Sequence, residues 1–270
     1  MINYQATGNT LTKGRIPVRL FPSSEAIFQA MARDMADTIK DHNAKGLKTT
    51  FILPVGPVGQ YPYFVEMVNQ ERISLKRCHF LNMDEYLTDS QQWIGMHEPL
   101  SFRGAMKRDV FEKIDRQLRI PASQWIFPDP KDLGLIQRTI EQIGKVDVTY
   151  GGIGINGHVA FNEAEEHTSA AVFAKRETRI ITMSPETRTA NAIGSLGGSL
   201  DLMPRYAVTI GMRQILASKR IVLGVFRPWH RAVLRKAIFA PVSASFPVTL
   251  LQNHPDSVIL ANDIAQEKPF

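Results

Sequence analysis

The stretch that most limits what this chain can fold into is Val146-Asp-Val-Thr-Tyr-Gly-Gly-Ile-Gly-Ile-Asn-Gly-His158-Val-Ala-Phe-Asn-Glu163. An apolar, β-branched run of strand length breaks into glycines and then presents an amide, an imidazole and a carboxylate in Asn156, His158 and Glu163. Glycine permits positive φ and close backbone approach, and in open α/β sheets ligands bind in the crevice beyond the carboxyl ends of the strands. The run is therefore expected to be a buried strand with a site on the loop that follows. A glycine-rich connection carrying an incidental histidine is the plainer alternative, and the local sequence leaves both open.

The same junction recurs along the chain. Thr49-Thr-Phe-Ile-Leu53 runs into Pro54-Val-Gly-Pro-Val-Gly59, Cys78-His-Phe-Leu-Asn-Met83 into Asp84-Glu85-Tyr86, and Arg220-Ile-Val-Leu-Gly-Val-Phe226 into Arg227-Pro-Trp-His230. Helical stripes lie between them: Ile27, Met31, Met35 and Ile39 recur every four residues, as do Phe102, Met106, Val110 and Ile114. Residues 17–21, 179–183, 206–210 and 257–261 read as further strands. Strands alternating with helices throughout predict an α/β fold with a doubly wound, mainly parallel sheet flanked by helices. A single domain over residues 1–270 is expected, with residues 1–15, which lack periodicity, as a loosely held arm.

Two adjacent carboxylates after an apolar strand are costly to bury unless paired or used. Asp84 and Glu85 are therefore candidates for chemistry, and a helix start capped by Asp84 is the competing reading. The net charge of +6 is spread singly among acids with no basic run, which argues against nucleic acid and gives weak support for an anionic ligand. The single cysteine, Cys78, sits in an apolar run, reads as a buried structural thiol, and fits a reducing compartment. No apolar stretch reaches about eighteen residues, so no membrane partner is expected and the cytoplasm is the default location.

Three separated stretches converge on one family. Leu81-Asn-Met-Asp-Glu-Tyr86, Gly151-Gly-Ile-Gly-Ile-Asn-Gly-His-Val-Ala-Phe-Asn-Glu163 and Thr187-Arg-Thr-Ala-Asn191 resemble the glucosamine-6-phosphate deaminase/isomerase family, whose wider group includes 6-phosphogluconolactonases. The similarity runs from about residue 16 to about residue 262. It implies ring opening of an amino-sugar phosphate, proton transfer between carbons 2 and 1, and release of ammonia, a sequence that needs no metal and no nucleotide cofactor. In that reading Asp84 shuttles the proton, His158 opens the ring, Glu163 and Asn156 orient the histidine, and Glu85 and Tyr86 position or shield the site. Gly56, Val58, Gly59, Gly152, Arg188 and His230 fall where the family binds the sugar phosphate. Relatives include monomers and hexamers, so a homo-oligomer is possible.

Two departures from the family pattern stand out. Asn156 occupies the place of an aspartate, so it holds the imidazole without a charge to stabilise the imidazolium. In the loop Leu53-Pro-Val-Gly-Pro-Val-Gly59 the family's two hydroxyls are missing and Pro57 removes an N–H. Phosphate would then rest on Arg188 with help from Arg227, Arg231 or His230. The alternatives left open are an isomerase or lactonase acting on another sugar phosphate, and a sugar-phosphate sensor without catalysis.

Overall fold

The computed structural model describes residues 1–270. The first strand, β1 (Val18–Leu20), is followed by the helix α1 (Ser24–Ala44), β2 (Thr49–Leu53), α2 (Gln60–Gln70) and β3 (Cys78–Asn82). Then come β4 (Asp84–Leu87), α3 (Phe102–Asp109), β5 (Trp125–Ile126), α4 (Leu135–Ile143) and β6 (Val148–Gly152). The remainder is α5 (Ala170–Phe173), β7 (Arg179–Thr182), α6 (Pro185–Ser195), β8 (Tyr206–Thr209), α7 (Met212–Leu216), β9 (Arg220–Val225), α8 (His230–Phe239), β10 (Ser257–Ala261) and α9 (Asp263–Gln266).

Seven strands form one parallel sheet in the order β1-β10-β9-β6-β2-β3-β5. Side chains alternate along each strand, so the sheet builds a core on both faces. Ile52, Leu81, Leu223 and Ile259 enter one core, whereas Phe51, Phe80, Tyr150 and Val222 enter the other. The expected stripe of α1 packs into this second core, with Ile27, Met31, Met35 and Ile39 fully buried. Its start is set by Ser23, whose hydroxyl accepts from the Ala26 N–H. No helix is long and apolar enough to cross a membrane.

Two features depart from the sequence expectation. Residues 179–183 and 206–210 are strands, but they leave the main sheet and form a three-stranded antiparallel sheet in the order β4-β8-β7. Asp84 opens the first of these strands rather than capping a helix. Met83 is the joint, its N–H bonding Leu53 of the main sheet and its carbonyl accepting from Ile210. Residues 1–15 are held rather than loose. A turn at Gly8–Lys13 buries Leu11, and the buried Arg235 of α8 donates to the carbonyls of Ala6, Arg231, Ala265 and Gln266. One buried leucine leaves no periodic trace in sequence, and the anchor lies on a helix near the other end of the chain.

Candidate active site

The carboxyl ends of the adjacent strands β9, β6 and β2 feed loops into one cavity of about 190 Å³, closed from the other side by β4 and α6. Pro54 to Pro57 come from the loop after β2, Gly152 to Gly154 and His158 from that after β6, and Phe226, Arg227, Trp229 and His230 from that after β9. Met83, Asp84 and Tyr86 enter from the small sheet, and Ala190, Asn191 and Ser195 from α6. His158 faces a cavity that three strand ends share.

Glycines make room at specific points. A Cβ on Gly154 would lie 2.0 Å from Cε1 of His158 and 2.1 Å from its Nε2, so any side chain there would displace the imidazole. Gly157 has φ +82°, and a Cβ on it would meet the Phe246 ring at 2.6 Å. Ala160 adopts φ 55° without being glycine, a strained conformation that surrounding contacts must hold. The Phe161 N–H donates to Thr209 Oγ1 of the small sheet at 3.0 Å, and Asn162 Nδ2 donates to the carbonyls of Val159 and of Ile210, just past that strand, each at 3.0 Å.

His158 sits in a relay. Asn156 Nδ2 donates to Glu163 Oε2 at 2.6 Å, and Asn156 Oδ1 lies 2.8 Å from His158 Nδ1. The Glu163 carboxylate also accepts from Thr187 Oγ1 at 3.0 Å and from the Ser184 N–H at 3.2 Å. Burial alone would raise the Glu163 pKa, but the hydrogen bonds and charge of His158, with Asn156 and Thr187, bring it down to about 2. An ionised Glu163 accepts only, so the Asn156 amide must turn its NH2 toward it and its oxygen toward the ring. Nδ1 of His158 therefore carries the proton, and in the neutral ring Nε2 keeps a lone pair. Asn156 thus transmits the orientation that Glu163 sets without transmitting its charge. Asn156→Asp is expected to change kcat/KM and its dependence on pH, because a carboxylate there adds charge beside the imidazole. An unchanged pH–rate profile would show that Glu163 alone, 3.6 Å from Nδ1, controls the ring.

Asp84 and Glu85 are neighbours in sequence with opposite surroundings. Asp84, only 6% exposed, makes no side-chain hydrogen bond within the protein and lines the cavity. Burial first, and then the charge of Glu85, push its pKa well above the carboxylate range. Glu85 is fully buried away from the cavity and accepts from the N–H groups of Tyr86, Phe102 and Arg103, from Ser101 Oγ, and from Arg103 Nε. Burial lifts its pKa too, but these donors oppose the rise. Glu85 therefore anchors the start of α3 and does not line the cavity, unlike the sequence expectation. Alternation along β4 is the reason, since neighbouring side chains point to opposite faces.

The expected anion-binding residues divide. Gly56 and Gly152 line the cavity, and Gly152 lets the loops close-pack, since its Cβ would lie 3.0 Å from Pro57. Val58 and Gly59 lie outside it, Gly59 packing against the Phe28 ring at the start of α2. Arg188 does not reach the cavity, because its guanidinium donates to the carbonyls of Leu200, Met203 and Pro204 and pins the turn after α6. His230 lines the cavity but not as a cation. Its Nδ1 accepts from the N–H groups of Phe226 and Arg227, which requires Nε2–H to donate to the Ile153 carbonyl at 3.0 Å. Burial brings its pKa down to about 3. The His230 Cε1–H resonance is accordingly expected to hold its neutral shift from pH 8 to pH 5 in an NMR titration, whereas movement with a midpoint near 6.5 would show an exposed ring.

The cation that does line the cavity is Arg227, which is exposed, makes no side-chain hydrogen bond or ion pair, and lies 3.0 Å from where a Cβ on Gly194 would sit. Sequence reasoning placed Arg227 only among possible helpers and missed Ser184 and Trp229, whereas Tyr86, expected at the site, lines the cavity and its hydroxyl accepts from Asn191 Nδ2 at 3.0 Å. Ser184 before Pro185 was open to recognition as a helix cap followed by proline at the first turn. Nothing local marks its second partner, Asn156, at 3.2 Å.

Comparison with known proteins agrees with this geometry. The chain is 31% identical over 254 residues to glucosamine-6-phosphate deaminase 1 of Bacillus subtilis, covering 91% of this chain and 96% of that protein. The chain belongs to the glucosamine-6-phosphate deaminase family. It is also 28% identical to the deaminase of Cronobacter sakazakii, with 91% of each covered. No protein-family model matches the sequence. Among solved structures, a monomeric glucosamine-6-phosphate deaminase superposes with a TM-score of 0.79 at 28% identity, covering 92% of this chain and 98% of that one. A 6-phosphogluconolactonase from Thermotoga maritima shares the fold with a TM-score of 0.65 at 15% identity, covering 91% of this chain and 99% of that one. The mainly parallel sheet flanked by helices is thus the fold of this group, and the chain is an enzyme of the deaminase type.

Proposed function

We propose that the protein converts glucosamine 6-phosphate and water to fructose 6-phosphate and ammonia. The observation that carries this reading is that the unpartnered, high-pKa carboxyl of Asp84 and the free Nε2 of His158 open on one cavity. The His158 Nε2 lone pair takes the proton of the anomeric hydroxyl and returns it to the ring oxygen, opening the sugar. Asp84 as carboxylate then removes the carbon-2 proton and delivers it to carbon 1, while a proton passes from the nitrogen to the carbon-1 oxygen, leaving a ketimine at carbon 2 and a hydroxyl on carbon 1. Water adds to that carbon, and ammonia departs as the ketone forms. A base with a raised pKa suits the task, because it gives up the proton as readily as it takes it.

Arg227 is the residue we assign to the phosphate, in place of Arg188 and His230. Arg227→Ala is expected to raise KM for glucosamine 6-phosphate by roughly 10- to 100-fold, the worth of one charged hydrogen bond, with a smaller change in kcat. An unaltered KM would remove the assignment. The reaction itself is tested by ammonia release from glucosamine 6-phosphate against glucosamine. Turnover of the ester alone supports the reading, and silence on both in folded protein would turn attention to another sugar phosphate.

A further inference from the structure

A second cleft, of about 580 Å³, shares no lining residue with the first cavity. It borders the edge strand β5 and the helix α4, and its size falls in the range of small-molecule sites. Its walls carry three aromatic rings, those of Trp93, Trp125 and Phe127. Two cations line it, Lys48 and Arg103, and no carboxylate does. Arg103 stands 4.2 Å over the Trp93 ring and uses Nε on Glu85 and Nη2 on the Ile94 carbonyl, which leaves Nη1 without a partner. Lys48, Ser123 and Gln142 likewise make no side-chain hydrogen bond within the chain.

Unengaged donors with no acid among them suit an anion. Three rings suit a flat π-system, which gains stacking energy without hydrogen bonds. We propose that this cleft binds a nucleoside phosphate, its base against the aromatic wall and its phosphate drawn by Lys48. The site is separate from the catalytic cavity and takes no part in the proton transfers there. Arg103 nonetheless ties the cleft to Glu85 and so to the strand that carries Asp84.

Tryptophan fluorescence tests this directly. The chain has three tryptophans, and Trp229→Phe leaves Trp93 and Trp125, both in the cleft. Titration of that variant with adenosine 5′-monophosphate is expected to give a saturable change, with affinity at least about tenfold better than for adenosine or inorganic phosphate alone. Lys48→Glu, a charge reversal on an exposed side chain, is expected to weaken it a further tenfold or so. No saturable response up to about 10 mM, equal binding of phosphate or adenosine alone, or indifference to Lys48→Glu would each overturn the proposal. If Trp229→Phe folds poorly, titration calorimetry on the unaltered protein carries the same three ligands and the same criteria.

Discussion

Asp84→Asn is expected to lower ammonia release from glucosamine 6-phosphate by a factor of roughly 10² to 10⁴, the usual cost of removing a positioned general base. The amide fills the same space, so the cavity and KM are expected to stay nearly as they are. The decisive measurement is exchange of the carbon-2 proton with solvent deuterium, which should fall with turnover, since both need the same base. Wild-type exchange in the variant would sink the role of Asp84. Stability should hold or rise, because an unpartnered carboxyl in a buried strand is costly to ionise and its replacement removes no hydrogen bond.

Glu85→Ala, one residue along, is expected to do the reverse. It leaves three N–H groups, the Ser101 hydroxyl and the Arg103 guanidinium without their shared acceptor in a fully buried setting. Removing one partner of a buried charged network costs about 3–5 kcal/mol, a large share of the roughly 5–15 kcal/mol that holds a domain folded. Urea denaturation should show this as a lower midpoint with an unchanged m-value. Loss of substrate affinity at wild-type stability would instead restore Glu85 to the binding surface. The pair makes a sharp comparison: adjacent carboxylates on one strand, one expected to matter for rate and the other for folding.

Much of this was legible in the residues. Strand-length apolar runs ending in Pro54, Gly151 and Phe226 announced a parallel sheet whose loops gather at one edge, because a strand buried on both faces must be continuously apolar. Asp84, His158 and Glu163 stood out because such chemistry at the end of an apolar strand has few structural uses. Less legible was the small sheet. Residues 179–182 and 206–209 have the composition of any strand, and the antiparallel pairing of 206–209 with residues 84–87 is a contact across more than a hundred residues that no local pattern encodes.

The cations show the division most clearly. A basic residue's presence is written in the sequence, but whether its charge faces a cavity depends on its competing partners. Arg188 is drawn to three backbone carbonyls at the end of a turn, and His230 is buried neutral to tie two loops together, while Arg227 finds no partner and stays at the cavity. Backbone carbonyls are invisible as ligands in a sequence because every residue has one. The sequence by itself determined which chemical groups were available and on which loops they lay. Tertiary structure decided which were already spent on holding the fold, because hydrogen-bond partners are chosen by proximity in space.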